Sequence, residues 1–238
     1  MIIFPAIDLR AGRVVRLKQG RADAETHYSD DPAQIAMRWQ NEGAQWLHVV
    51  NLDGAFGENT NANQLALEKI LAAIAIPVQF GGGLRELASI ETAFDTGVAR
   101  VVIGTAAIEN PQIVSDAIAR FSADRIVIGI DARAGMVATR GWVEQSQVSA
   151  IDLAQQMRER GIERIVYTDI ARDGMLRGID ADAMANLARA ANVRVIASGG
   201  VARVDDVIAL RAHAEIEGVI IGQALYTGAV LMQDVSAF

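Results

Sequence analysis

The chain has 238 residues, 51% of them hydrophobic and none of them Cys, and its 22 Lys and Arg stand against 29 Asp and Glu for a formal net charge of −7. That size suits one large or two small α/β domains with a substantial core, and the lack of Cys excludes disulfides, thiolate metal sites and thiol nucleophiles. The negative balance argues against a general nucleic-acid surface, although backbone N–H groups at helix starts bind phosphate without many lysines. The three His, at His27, His48 and His213, are scattered, so no metal site is expected. Asp8 and Arg10 come too early for a signal-peptide apolar region, and no uncharged apolar run is long enough to span a bilayer. A soluble, cytoplasmic protein is expected.

In chain order, strand segments alternate with helical ones. A strand over 2–7 precedes a helix whose Asp31-Pro32 start places Pro at the first helical position and Ile35 and Trp39 on one face. A strand over 46–52 leads to a helix over 64–73, then a strand over 77–80, a helix over 87–95 and a strand over 100–103. Asn110-Pro111 opens a helix over 113–121, followed by a strand over 125–130. Ser149 to Asp152 has capping-box spacing before a helix over 153–160. Strands over 164–168, 194–197 and 218–221 then flank helices over 181–191 and 204–212, with a short helix after Gly222. The strands are nearly continuous Val/Ile runs, the pattern of a parallel sheet buried on both faces. Eight such units imply an α/β (βα)₈ barrel, with an open doubly wound sheet as the alternative. No Gly-, Pro- or Ser-rich linker divides the chain, so residues 1–238 read as one domain.

The two halves resemble each other. GAQWLHVVNLDG at 43–54 matches GIERIVYTDIARDG at 161–174, with Asn51 and Asp169 118 residues apart (169 − 51 = 118). FGGGL at 80–84 matches ASGGV at 197–201, and VVIGTA at 101–106 matches VIIGQA at 219–224. Asp8 and Asp131 each end the first strand of their half. The repeat is too long for a solenoid unit and suits two (βα)₄ half-barrels facing each other across one mouth.

Gly82-Gly83 and Gly104-Thr105 each lie between a strand and a helix, as do Ser198-Gly199-Gly200 and Gly222-Gln223. Glycine admits an anion close to the backbone, and the loops after the last two strands of such barrels often hold phosphate. Either these are two opposed phosphate sites or they are ordinary tight turns; the matched pairs favour the sites. Arg85 stands next to the first. Asp8 and Asp131, at the strand ends that form the active face, fit an acid and a base on opposite sides of one substrate. Thr168 is either a hydrogen-bonding group or a β-branched strand residue, and Asp173-Gly174 is also a plausible turn. His48 reads as a satisfied core residue. Trp142 either stacks on a planar heterocycle or anchors its loop. Arg10, Arg13, Arg16 and Lys18 make the first loop basic, as a solvated face or a mobile phosphate lid.

These residues carry a resemblance. FPAIDLRAGRVVRLKQG, LHVVNLDGA, QFGGGLR, VVIGTAAIENP, GIDARAGMVATRGW, YTDIARDGMLRG, ASGGV and GVIIGQALY, in that order over nearly the whole chain, are similar to the ProFAR isomerase family of histidine biosynthesis. The resemblance implies an Amadori rearrangement, aminoaldose to aminoketose, with no cofactor. It implies Asp8 as general base at C2′ and Asp131 as general acid at the ring oxygen. Thr168 and Asp173 would support the reacting sugar, and the Gly-rich pairs would hold the two phosphates. One departure is Asn51, where the family pattern leads us to expect Asp; an amide cannot serve as an acid or base but still hydrogen-bonds.

The expected partner is a small molecule with two phosphates, with no nucleic acid, membrane or obligatory protein partner, and the chain is expected to be a monomer. The sister cyclase of the pathway shares the repeat and both aspartates, but FPAID at 4–8 and the Gly141-Trp142 loop resemble the isomerase. Arg16 and Arg140 leave room for a dual-substrate form that also isomerises phosphoribosyl anthranilate. A non-catalytic phosphate-binding barrel and a metal-dependent aldolase-like barrel are the rivals of other classes.

Overall fold

A computed structural model describes residues 1–58, 61–139, 141–142 and 144–236 of the chain. β1 (Ile2–Arg10) runs into an antiparallel hairpin, β2 (Arg13–Lys18) and β3 (Arg21–Ser29), before α1 (Pro32–Asn41). Then come β4 (Leu47–Asn51), α2 (Leu52–Phe56), α3 (Ala62–Ala73), β5 (Val78–Gly81), α4 (Leu87–Thr96), β6 (Arg100–Ile103), α5 (Thr105–Glu109) and α6 (Gln112–Phe121). The second half begins with β7 (Ile126–Arg133) and its own hairpin, β8 (Met136–Thr139) and β9 (Glu144–Ser149), then α7 (Ala150–Glu159). It continues through β10 (Arg164–Asp169), α8 (Ala181–Ala191), β11 (Arg194–Ser198), α9 (Val204–Arg211), β12 (Ile216–Ile221), α10 (Gln223–Thr227) and α11 (Met232–Ser236).

Parallel pairing runs β1–β4–β5–β6–β7–β10–β11–β12 and back to β1. The sheet therefore closes, and the fold is a (βα)₈ barrel rather than an open sheet. Each strand buries both faces, which is why its sequence is apolar throughout. Residues of one parity, among them Ile7, Val49, Ile103 and Ile128, pack outward against helices through Trp39, Leu67, Ile70 and Ile90. Phe4, Ala6, Val102, Val127, Val166, Ile196 and Ile220 fill the interior. Below them, at the strand starts, Glu217 takes Arg164 at 2.9 Å and Arg100 at 3.2 Å, and Arg100 also lies over the Trp46 ring.

Two of the three expected helix starts are in place; at the third, Asn110 ends α5 and Pro111 is itself the N-cap of α6, with no side-chain cap. Asp31 accepts from the Gln34 N–H beside Pro32, and Ser149 accepts from the Asp152 N–H. The two hairpins, β2–β3 and β8–β9, were not expected. β3 is RADAETHYS, mostly polar and exposed, and carries no clean alternation to mark a strand. The hairpins stand at equivalent places, one after the first strand of each half.

The half-barrel repeat extends to the turns. Gly82 has φ +100° and Gly199 φ +89°. A Cβ on Gly82 would overlap the Asn51 carbonyl oxygen, and one on Gly199 would lie 2.6 Å from that of Asp169. Both positions need glycine for left-handed backbone and for close approach. Gly82→Ala is accordingly expected to destabilise the fold by about 2 kcal/mol or more, read as a lower urea midpoint with unchanged slope. A midpoint equal to that of wild type would refute the crowding.

Candidate active site

Side chains alternate along a strand, so the residue two beyond an inward apolar one also points inward. Two steps on from Ala6, Val166 and Ile196 stand Asp8, Thr168 and Ser198; four on from Val127 stands Asp131. All four line a cavity at the C-terminal strand ends. The cavity also touches the Gly82-Gly83 turn with Arg85, and Gly104-Thr105 at the start of α5. A narrower pocket adjoins it over Gly199, Gly200, Gly222 and Gln223, sharing Arg16, Asp173 and Ser198 with the first. The expected site residues thus converge on one mouth with a glycine cradle on each side.

Asp8 stands opposite Val15 across the β1–β2 pairing, which brings Arg16 beside it: Nη1 lies 2.8 Å from Asp8 Oδ2. Burial raises the Asp8 carboxyl above its ordinary range, and Arg16 opposes the shift. Burial likewise raises Asp131, while hydrogen bonds from the Thr168 hydroxyl and the Trp142 indole N–H favour its charged form. Asp173 is pushed up to about 6 by burial, with Arg16 opposing and Asp8, Asp131 and Asp169 adding to the rise. Burial thus raises all three carboxyls, and Asp173, repelled by Asp8 and Asp131, is the one brought close to neutrality.

The basic first segment is strand β2 of a hairpin, and its cations divide between solvent and the interior. Arg13 and Lys18 are exposed at the two ends of β2, but Arg16 between them is 7% exposed. Arg10 is held by Glu25 at 3.6 Å and Glu58 at 3.5 Å. The β2–β3 turn is clasped over the cavity: the Gln19 N–H donates to the Asp173 carbonyl and its side-chain amide to that of Ala171. Trp142 packs on Gly20 of the same turn, from a left-handed backbone with φ +70°. It also lines the cavity. His48 is a satisfied core residue, since Gln79 Nε2 donates to its Nδ1 at 3.1 Å, but it also lines the cavity. Burial, with Arg16 adding to it, drives the imidazole down to about 3, so it is neutral.

A family model described as histidine biosynthesis protein matches residues 2–231. The chain belongs to that family. It is 49% identical over 239 residues to a protein of Pelobacter propionicus, covering 100% of this chain and 97% of the relative. It is 50% identical to one of Desulfatibacillum aliphaticivorans, over 96% of this chain and 91% of the relative. With one of Heliobacterium modesticaldum it shares 51% over 97% and 94%. All three relatives are named 1-(5-phosphoribosyl)-5-((5-phosphoribosylamino)methylideneamino)imidazole-4-carboxamide isomerase.

In this member of the family Asn51 is a structural residue. Its Oδ1 accepts from the Gly54 N–H at 3.0 Å, capping α2, and from Asn63 Nδ2 at 2.7 Å. Asn63 in turn joins Leu9 and Gly12, so an amide serves here without any charge. Gln223 turns its side chain to the Tyr28 hydroxyl at 3.1 Å, which leaves its backbone to face the cradle. Arg85 is exposed at the rim and donates to the Ala55 carbonyl. Arg140 lies outside the described residues. Among the described residues no group of His, Asp or Glu is placed to hold a metal ion, and no helix is long and apolar enough to cross a membrane.

The sequence placed Arg16 in a basic loop and as an opening to a second substrate, but not beside Asp8. The available signal was RVVRLK, where an Arg follows two Val in a strand-like run. Asp173 offers a test of the site's electrostatics. Its raised pKa means the folded state holds a proton more tightly than the unfolded chain, so stability falls as pH rises from about 3.8 through about 6. Asp173→Asn removes that penalty. The variant is expected to melt higher than wild type at pH 7, with the gap closing below pH ~4. A gap independent of pH, or of opposite sign at pH 7, would contradict the buried, repelled carboxyl.

Proposed function

We propose that the chain is a ProFAR isomerase, an enzyme that interconverts an aldose and a ketose within one molecule bearing two phosphoribosyl groups. The observation that carries this reading is the pair Asp8 and Asp131 at equivalent strand ends, within one mouth flanked by two matched glycine cradles. Relatives about half identical over nearly their whole length, each named for that reaction, support it. The cradles at Gly82-Gly83 with Gly104-Thr105, and at Ser198-Gly200 with Gly222-Gln223, hold one phosphate each. Asp131 gives a proton to the ring oxygen as the C1′–O bond breaks, leaving an iminium. Asp8 removes the C2′ proton, and the electron pair moves to form the 2′-hydroxy enolamine, which becomes the aminoketose as C1′ takes a proton and the 2′-hydroxyl gives one up. Thr168 orients Asp131, and Asp173 supports the opened sugar. No cofactor enters. The same reading takes residues 1–238 as a single catalytic domain, acting as a monomer in the cytoplasm on a small phosphorylated substrate, with no nucleic-acid or membrane partner.

Asp173 is a second possible proton donor, because its pKa of about 6 keeps part of it protonated near neutrality. Steady-state turnover of ProFAR, with phosphoribosyl anthranilate in parallel and no added metal, tests the reading. Turnover of ProFAR alone is expected. Turnover of both makes the enzyme a dual-substrate form, and turnover of neither removes the proposal. Turnover surviving in Asp131→Asn but lost in Asp173→Asn moves the acid to Asp173.

A further inference from the structure

The two glycine cradles are equivalent in the repeat but differently furnished. Gly104 and Gly222 each precede a short helix, α5 and α10. Open space surrounds the place of a Cβ on Gly104, whereas the Arg16 guanidinium fills that place on Gly222. Arg16 lines both the main cavity and the narrow pocket over the second cradle. It is 7% exposed, and its Nε finds no hydrogen-bond partner among the described residues. Nη1 is committed to Asp8 at 2.8 Å. A buried guanidinium with an unpaired edge beside a glycine cradle is an anion ligand in waiting, because burying an unmet N–H is costly and its fork suits a tetrahedral oxyanion.

We propose that Arg16 links the second cradle to Asp8: an anion bound over Ser198–Gly200 and Gly222 draws on the guanidinium that Asp8 otherwise holds, so that filling the cradle makes the catalytic carboxylate more basic. The inference deepens the isomerase reading and rests on it only for the role of Asp8. The groups facing Arg16 are Asp8 on β1, Tyr28 on β3, His48 on β4, Asp173 after β10 and Tyr226 on α10. Among these, His48 is neutral and burial raises the Tyr226 hydroxyl above its ordinary value, so the carboxyls of Asp8 and Asp173 are the ones that respond. A second negative charge beside Arg16 weakens the attraction that favours ionised Asp8, and its proton is then held to higher pH. A base whose pKa moves toward neutrality only when substrate phosphate is seated is matched to its task at that moment.

The experiment follows the carboxyl carbon of Asp8 by NMR in the full chain labelled with 13C-aspartate, its signal assigned by loss in Asp8→Asn. The probe is sulfate, doubly charged across the whole titration, compared with chloride at equal ionic strength. In wild type, sulfate is expected to raise the Asp8 midpoint by about one pH unit. Arg16→Met, which keeps the stem but not the charge, is expected to abolish the shift. Arg16→Lys, a point charge without the fork, is expected to keep part of it. An Asp8 midpoint that sulfate leaves unchanged in wild type, or moves equally in Arg16→Met, overturns the linkage. Turnover plays no part in this readout. A sulfate-linked shift in a protein that ignores ProFAR would keep the linkage and remove the isomerase reading; turnover without the shift would do the reverse.

Discussion

Asp8→Asn is expected to lower kcat on ProFAR by about three orders of magnitude while the protein stays folded. An amide is the same size as the carboxylate but accepts no proton at neutral pH, and general-base catalysis contributes roughly 10²–10⁴ in rate. The substitution also removes the counter-ion at 2.8 Å from Arg16. The freed guanidinium is then expected to bind anions more tightly, so sulfate should inhibit residual turnover at lower concentration than in wild type. That opposite movement separates a chemical role from a structural one, since a merely distorted site would lose rate and anion affinity together. A kcat within tenfold of wild type would sink the assignment of Asp8 as base.

At the other end of the barrel, Glu217→Ala is expected to cost of order 3 kcal/mol of stability, since it strands two cations that one carboxylate had neutralised. The side chains of Arg100, Arg164 and Glu217 are 9%, 17% and 16% exposed, so water compensates little. Burial already pulls the Arg100 guanidinium below its ordinary value, with Glu217 the main opposing influence. Glu217→Gln keeps an acceptor for hydrogen bonds from Arg164 and Arg100 and is expected to lose less. Urea unfolding of both variants checks this; Glu217→Ala unfolding at the wild-type midpoint would show that the ion pairs contribute nothing net. Turnover of the folded fraction is expected to be unchanged, because the cluster lies at the strand starts, away from the mouth.

The polar strand ends were legible because they follow from local pattern. In a barrel each strand is buried on both faces, so its sequence is apolar until the last inward position, where Asp8, Asp131, Thr168 and Ser198 interrupt the run. The repeat, visible as matched glycines, likewise survives in the turns at Gly82 and Gly199. The hairpins were not legible: β3 and β9 are polar and largely exposed, and hydrogen bonding to a neighbouring strand, not burial, makes them strands. Arg16 was misjudged for the same reason. Its neighbours in sequence are those of a basic loop, and only the pairing of β2 with β1 turns its side chain inward against Asp8 and Gly222.

By itself the sequence determined the eight alternating strand and helix units, their two-fold repeat, the acidic strand ends and the paired glycine turns, because periodicity and turn chemistry are properties of short segments. Only the tertiary structure decided that the barrel closes through β7 and β10, that Trp142 is tied to Asp131 and Gly20, and that one buried arginine faces both Asp8 and a cradle. Those depend on which residues distant in the chain meet in a low-dielectric space. The energy of a charge there is set by its neighbours and by the loss of water, which the order of residues along the chain does not state.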